Sequence, residues 1–176
     1  GEAHLLHLAQ RHPHWHIIIV NPGFLLGPYD YHNSSGRLLR AAHLRPLMLA
    51  PRGGQSFVPV TDAATAIVNA LTHGTHGERY LLTGSNLSLH QLFALQARTL
   101  GYRQRILTPP DTLLRLLGHL GDLLRRLHIR TQLSTINISQ LLVREYYDNS
   151  KARTALAMPQ TPLEEAIKAY HAAPWR

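Results

Sequence analysis

Three places in this sequence put chemically able side chains in a pattern. His12, His14 and His16 alternate, so on an extended segment their imidazoles share one face, and imidazole suits zinc, copper or nickel. Pro13 and the lack of a neighbouring carboxylate leave that set short of a full ligand shell, and no metal is expected there. The thirteen histidines read mainly as composition. Asp62 stands at the start of an apolar helical run, placed for acid–base work or for capping; cap preference favours Asp62 or Thr61 as an N-cap. The third place is the turn Asn21-Pro22-Gly23 with the second break at Gly27-Pro28.

That turn needs a strand behind it. In His16–Asp30 (HIIIVNPGFLLGPYD), Ile17 to Val20 predict a short strand buried on both faces, as in a parallel sheet covered by helices. Pro22 has no N–H for a ladder and Gly23 permits unusual backbone angles, so the strand is expected to stop at Asn21-Pro22-Gly23. In open α/β sheets ligands sit outside the carboxyl ends of the strands, where this loop would lie.

The runs VNPGFLLGPYD, FVPVTDAATAIVNAL (Phe57–Leu71), GERYLLTGSNLSLHQL (Gly77–Leu92) and the ending Tyr146–Trp175 carry a resemblance. In that order they are similar to the C-terminal half of an extended short-chain dehydrogenase/reductase, in particular the NAD-dependent epimerase/dehydratase and dihydroflavonol-reductase-like branch. The resemblance implies an α/β fold: the C-terminal portion of a Rossmann-type NAD(P)-binding domain plus a small, mostly helical substrate lobe. Residues 1–34 would hold the last helix and strand of the nucleotide-binding domain with its active-site loop. Residues 35–176 would form the substrate lobe, with strands near 57–60 and 79–83 returning to the main sheet.

The resemblance also implies roles. Pro22, Gly23, Phe24 and Leu25 would back the nicotinamide of NAD or NADP, with a Cβ at Gly23 crowding the ring or straining the turn. Asn21, Tyr29 and Arg37 would face a small-molecule substrate bearing a hydroxyl or carbonyl group. The family's glycine-rich turn and catalytic tyrosine–lysine pair would precede Gly1, because no GxxGxxG occurs in the sequence. No catalytic residue is therefore assigned here, and the chain reads as part of a longer, cytoplasmic enzyme with a homodimer as a further expectation. Tyr147-Asp148-Asn149-Ser150-Lys151 has the family's Y-x-x-x-K spacing, by which a lysine lowers a phenol's pKa for proton transfer. It falls far after the central strand rather than before it, and Asp148 to Ser150 suit a cap for a helix Lys151–Leu156, so the pair is rejected as catalytic. The UDP-sugar branch has an arginine just before the segment matching Phe57–Val60, where Gln55-Ser56 stand here. That departure tilts the substrate away from UDP-sugars toward a carbonyl compound.

Composition is compatible with this. Of 176 residues, 44% are hydrophobic and 16% charged, which is globular rather than disordered, and there are no cysteines for disulfides or thiolate metal sites. A formal charge of +8 favours anionic partners and leaves one alternative, a stand-alone basic module binding nucleic acid or another polyanion. The cations are scattered, so nucleic acid is not expected. No run approaches the roughly 18 apolar residues of a membrane span.

Periodicity predicts helices over Gly1–His12, Ser35–Ala42, Ala63–Thr72, Leu89–Leu100 (Ser88 as cap, Gly101 at C′), Thr112–His128, Ser134–Val143 and Pro162–His171. Strands are expected at Arg79–Thr83, Phe57–Val60 and Arg105–Leu107. Thr112–His128 is the most amphipathic stretch. Basic amphipathic helices lie on anionic membranes, but packing within the protein is the expectation taken for it.

Overall fold

The structure, a computed structural model, describes residues 1–30, 35–127, 131 and 134–173. In chain order the elements are α1 (Glu2–Arg11), β1 (Ile19–Pro22), β2 (Phe24–Leu26), α2 (Arg37–Ala42), β3 (Leu47–Leu49), β4 (Gly54–Pro59), α3 (Val60–His73) and β5 (Arg79–Leu82). There follow β6 (Ser85–Ser88), α4 (Leu89–Thr99), β7 (Arg105–Leu107), α5 (Asp111–Arg126), α6 (Thr135–Leu142), β8 (Arg144–Glu145), α7 (Ser150–Ala155) and α8 (Leu163–Ala172). They fall into two units, one drawn from Gly1–Gly36, Ser56–Ser85 and Tyr147–Arg176, the other from Arg37–Gln55 and Asn86–Tyr146.

In the first unit the extended segment Ile19–Leu26 is central. β1 pairs in parallel with β5, placing Ile19 opposite Arg79 and Pro22 opposite Leu82. β2 pairs in parallel with β4, placing Phe24 opposite Phe57 and Leu26 opposite Pro59. Parallel pairing and helical crossovers agree with the α/β expectation. The strand itself differs from expectation in two ways. Pairing begins at Ile19 and runs through Pro22, and it resumes at Phe24 after one residue. The ladder survives because Pro22 lacks only a donor, while the Gly23 N–H reaches the Leu82 carbonyl at 2.9 Å. Nor is the strand buried on both faces: Ile19 is buried, Val20 and Asn21 are half-buried, and Pro22 is exposed.

α3 carries the chain from β4 to β5 and lays Ala63, Ala66 and Ala70 on the sheet, where they join Val58, Tyr80, Leu82, Ala152, Leu156 and Met158 in one core. Small alanines let helix and sheet approach closely. Burying a side chain the size of Leu82 or Leu156 contributes about 1.5–3 kcal/mol. The start of α3 corrects the cap expectation. The helix begins at Val60 with Pro59 at the N-cap and no side-chain cap bond, so Thr61 and Asp62 lie inside its first turn. At α7, Asn149 occupies the N-cap but likewise makes no side-chain cap bond; its Nδ2 instead donates to the Thr83 carbonyl at 2.5 Å.

In the second unit β3 and β7 pair in parallel, with Met48 opposite Ile106. α4 matches its expectation closely: Ser88 and Gln91 form a reciprocal capping box, and Gly101 takes φ 74° just past the end. Gln96, buried within α4, donates from Nε2 to the Leu39 carbonyl at 2.8 Å, tying α4 to α2. α5 and α6 pack against each other closely at Gly118, and Ser134 caps α6 through the Asn137 N–H at 3.1 Å. The expected end of the α5 stretch at His128 lies outside the described residues.

Candidate active site at the strand ends

Inside the first unit, the carboxyl ends of β1 and β2 are where the sequence places its candidate residues. Asn21 is half-buried, and its Nδ2 donates to Glu2 Oε1 at 2.8 Å. Glu2 also takes Arg79 Nη1 at 3.3 Å. The Asn21 amide, then the Arg79 guanidinium, hold the Glu2 carboxyl below its usual range. The α1 carboxylate thus orients Asn21, a link that sequence spacing does not reveal.

Pro22 stands exposed at the end of β1, apolar and without an N–H. Gly23 has an ordinary backbone rather than a left-handed one. What demands a glycine is space: a Cβ there would lie 2.6 Å from the Ser56 carbonyl oxygen and 3.0 Å from Thr83 Cγ2. A side chain at this position is therefore crowded by the protein itself. Phe24 is half-buried with its ring edge-on to Phe57 at 5.2 Å, and Leu25 is half-buried against the alanine-lined core.

Beyond β2 the chain turns at Gly27-Pro28. A Cβ at Gly27 would press on Val60 Cγ1 at 2.3 Å, which fits this turn to the start of α3. Tyr29 follows at φ 66°, a left-handed backbone that costs a bulky residue roughly 1–2 kcal/mol; the residue is 66% exposed. Strain of this kind gathers where a chain must hold a side chain in place. Asp30 Oδ2 accepts the Gly36 N–H at 2.7 Å. A cavity of about 220 Å³ opens at the carboxyl ends of β2 and β4, lined by Leu26 to Pro28, Pro59 to Thr61 and α8 residues including Glu165. Arg37 opens α2 in the other unit and is exposed.

The remaining sequence candidates have other occupations. Asp62 is buried, and its carboxylate accepts the Thr161 N–H at 2.8 Å and the Thr161 hydroxyl at 2.7 Å. It is neither the expected cap nor placed as a free acid. Tyr147 precedes α7, so it and Lys151 do not share one helical turn. The Tyr147 N–H donates to Ser56 Oγ at 2.9 Å, while Lys151 pairs with Glu78 and lies 4.9 Å over the Tyr80 ring. His12 stacks on Trp15 at 4.5 Å, and His16 Nε2 meets the Gly74 carbonyl at 3.1 Å.

No protein-family model matches the chain. It is 30% identical over 156 residues to "Sterol demethylase protein B" of Methylococcus capsulatus, covering 86% of this chain and 47% of that protein. It is 26% identical over 157 residues to "Putative dihydroflavonol 4-reductase" of Synechocystis sp., covering 86% and 46%. Among solved structures, gox2253 superposes with TM-score 0.75 at 25% identity over 97% of this chain and 52% of that one. The nucleoside-diphosphate-sugar epimerase PA4631 from Pseudomonas aeruginosa follows at 0.66 and 23%, covering 97% and 51%. RMD from Pseudomonas aeruginosa complexed with NADPH follows at 0.61 and 14%, covering 96% and 51%; these last two bear on the fold alone. The chain spans about half the length of the curated relatives it matches.

Proposed function

Homologues and structural neighbours of this chain are NAD-dependent epimerase/dehydratase and dihydroflavonol-reductase-like proteins, and from that relationship we propose its role. It forms the substrate-side part of an NAD(P)-dependent oxidoreductase or epimerase acting on a small molecule with a hydroxyl or carbonyl group. One observation carries the reading. A single extended segment, parallel to β5 and then to β4, delivers Asn21 and Pro22 to a strand end, where α/β sheets bind ligands.

The residues present fit a nicotinamide. Pro22 offers an exposed apolar surface with no competing donor, suited to one face of a flat ring, and Phe24 and Leu25 follow it half-buried on the same extended segment. Gly23 contributes by keeping the backbone close; its N–H is spent on Leu82 and holds nothing else. The nicotinamide, when bound, supplies or accepts the hydride. Asn21, steadied by Glu2, presents its Oδ1 to accept from a substrate hydroxyl. Tyr29, held in its left-handed conformation, offers an exposed phenol to the same ligand. The reading does not use Arg37.

The substrate favoured is a carbonyl compound rather than a UDP-sugar. Where a pyrophosphate-gripping arginine would stand, buried Ser56 uses its Oγ to accept the Tyr147 N–H, a structural task. The test uses the full-length protein containing this chain, with deuterium at C4 of NADH or NADPH and a panel of aldehydes, ketones and UDP-sugars. Deuterium on the product carbinol carbon of a carbonyl compound, transferred about tenfold more slowly in Asn21→Ala, is the expected result. Absence of any nicotinamide binding by calorimetry overturns it.

A further inference from the structure

α5 has two apolar faces; one is buried and the other is largely exposed. On the inner face Leu114, Gly118 and Gly121 are buried, and a Cβ at Gly118 would come 3.1 Å from Thr135 Cα of α6. On the other, Leu113, Leu116, Leu120, Leu123 and Leu127 recur at intervals of three and four. That spacing makes one narrow stripe along the helix. Each of the five is between 48% and 65% exposed.

Charge says what kind of surface would cover the stripe. Arg115, His119 and Arg126 are exposed along one border of it. Neither arginine has an ion-pair partner among the described residues. The two acids of α5 are engaged within the protein. Asp122 accepts the Thr135 N–H at 3.2 Å as well as the Thr135 hydroxyl, and Asp111 lies 3.8 Å from Arg52. The outward face therefore combines apolar surface with uncompensated positive charge, on a chain whose formal charge is +8. A second copy would bring the same cations against it, which like-charge repulsion disfavours. An anionic bilayer offers the complement in the right order, with phosphates at the arginines and acyl chains at the leucines. No described helix is long and apolar enough to cross a membrane, so the geometry is that of a helix lying in the surface plane.

We propose that α5 docks in plane on an anionic phospholipid surface, with Leu113, Leu116, Leu120, Leu123 and Leu127 inserted and Arg115 and Arg126 on the phosphates. This goes beyond the oxidoreductase reading and does not depend on it. The test floats the full chain with vesicles of phosphatidylcholine alone, or of phosphatidylcholine with phosphatidylglycerol. Binding to the phosphatidylglycerol vesicles, weakened by salt, is expected. Leu116→Gln with Leu120→Gln should lower the partition coefficient about tenfold or more. Arg115→Gln and Arg126→Gln should each lower it about fivefold. These positions are exposed, so circular dichroism should show the variants folded. Equal partition into both vesicle types, no binding, or binding unchanged in the leucine or arginine variants overturns the proposal. So does a dimer, seen by sedimentation without vesicles, that Leu116→Gln dissolves while lipid binding is absent.

Discussion

Asp62 and Thr161, far apart in sequence, are joined twice: the carboxylate accepts the threonine's N–H at 2.8 Å and its hydroxyl at 2.7 Å. The carboxylate is buried, so the bond ties the first turn of α3 to the segment that leads into α8. Asp62→Ala leaves both Thr161 donors without this acceptor, which costs about 1–3 kcal/mol. A melting temperature lower by roughly 2–4 °C for each kcal/mol is expected in calorimetry. An unchanged melt would mean that the tie contributes nothing.

Gly23→Ala should act on folding rather than on ligand alone. The new Cβ meets the Ser56 carbonyl oxygen at 2.6 Å, and a backbone oxygen in a ladder cannot swing aside. Overpacking of this kind costs about 1–3 kcal/mol. Gly23→Val, bulkier and branched, should do worse and lower soluble yield. Cofactor affinity falling with no change in melting temperature would contradict the packing account.

Tyr147→Phe in the full-length enzyme should leave kcat/KM within a few-fold of wild type. Loss of a general acid–base hydroxyl typically costs about 10²–10⁴ in rate. Lys151, the partner its spacing suggests, is committed to Glu78 and to the Tyr80 ring. Lys151→Met should also release the Glu78 carboxyl, which that lysine holds below its usual range. Steady-state kinetics of both variants, with a several-hundredfold loss in either, would reinstate the pair.

The α5–α6 pair should weaken in acid. The Thr135 hydroxyl, then the partial burial that opposes it, then the Thr135 N–H set the Asp122 carboxyl, and the balance holds it below its usual range. A folded pKa below the unfolded one means the contribution is complete above the ordinary carboxylate pKa of about 4 and is lost as pH falls through the lower folded value. Melting curves between about pH 7 and about pH 3 should therefore show an acid limb that Asp122→Asn flattens. Identical limbs in wild type and variant would refute the link.

The parts of the fold legible in the sequence are those that local rules govern. Ser88, Gln91 and Gly101 announced α4 because caps are short-range hydrogen-bond patterns. The leucine spacing announced α5 for the same reason. What stayed hidden depends on partners. β3 and β8 hold three and two residues, too few to show a period, and exist because Ile106 and Gly54 lie opposite them. Pro22 misled because proline weakens strands in general, whereas this one keeps its ladder through its neighbour's N–H. Asp62 looked like a cap because nothing local points to Thr161. At the strand end, the break at Asn21-Pro22-Gly23 is visible in the sequence, but the crowding that requires Gly23 comes from Ser56 and Thr83 and is not.

Because β1 and β2 share one uninterrupted stretch of chain, the stretch is locked in length. One residue gained or lost within Ile19–Pro22 would turn Asn21 to the opposite face while Phe24 stayed across from Phe57. The same change within Phe24–Leu26 would spare Asn21 and misplace Phe24. Gly23 is the one joint where an added residue could leave both ladders in step, and there the Ser56 carbonyl closes the gap. Insertions and deletions should therefore accumulate elsewhere in this protein's lineage and spare these eight positions.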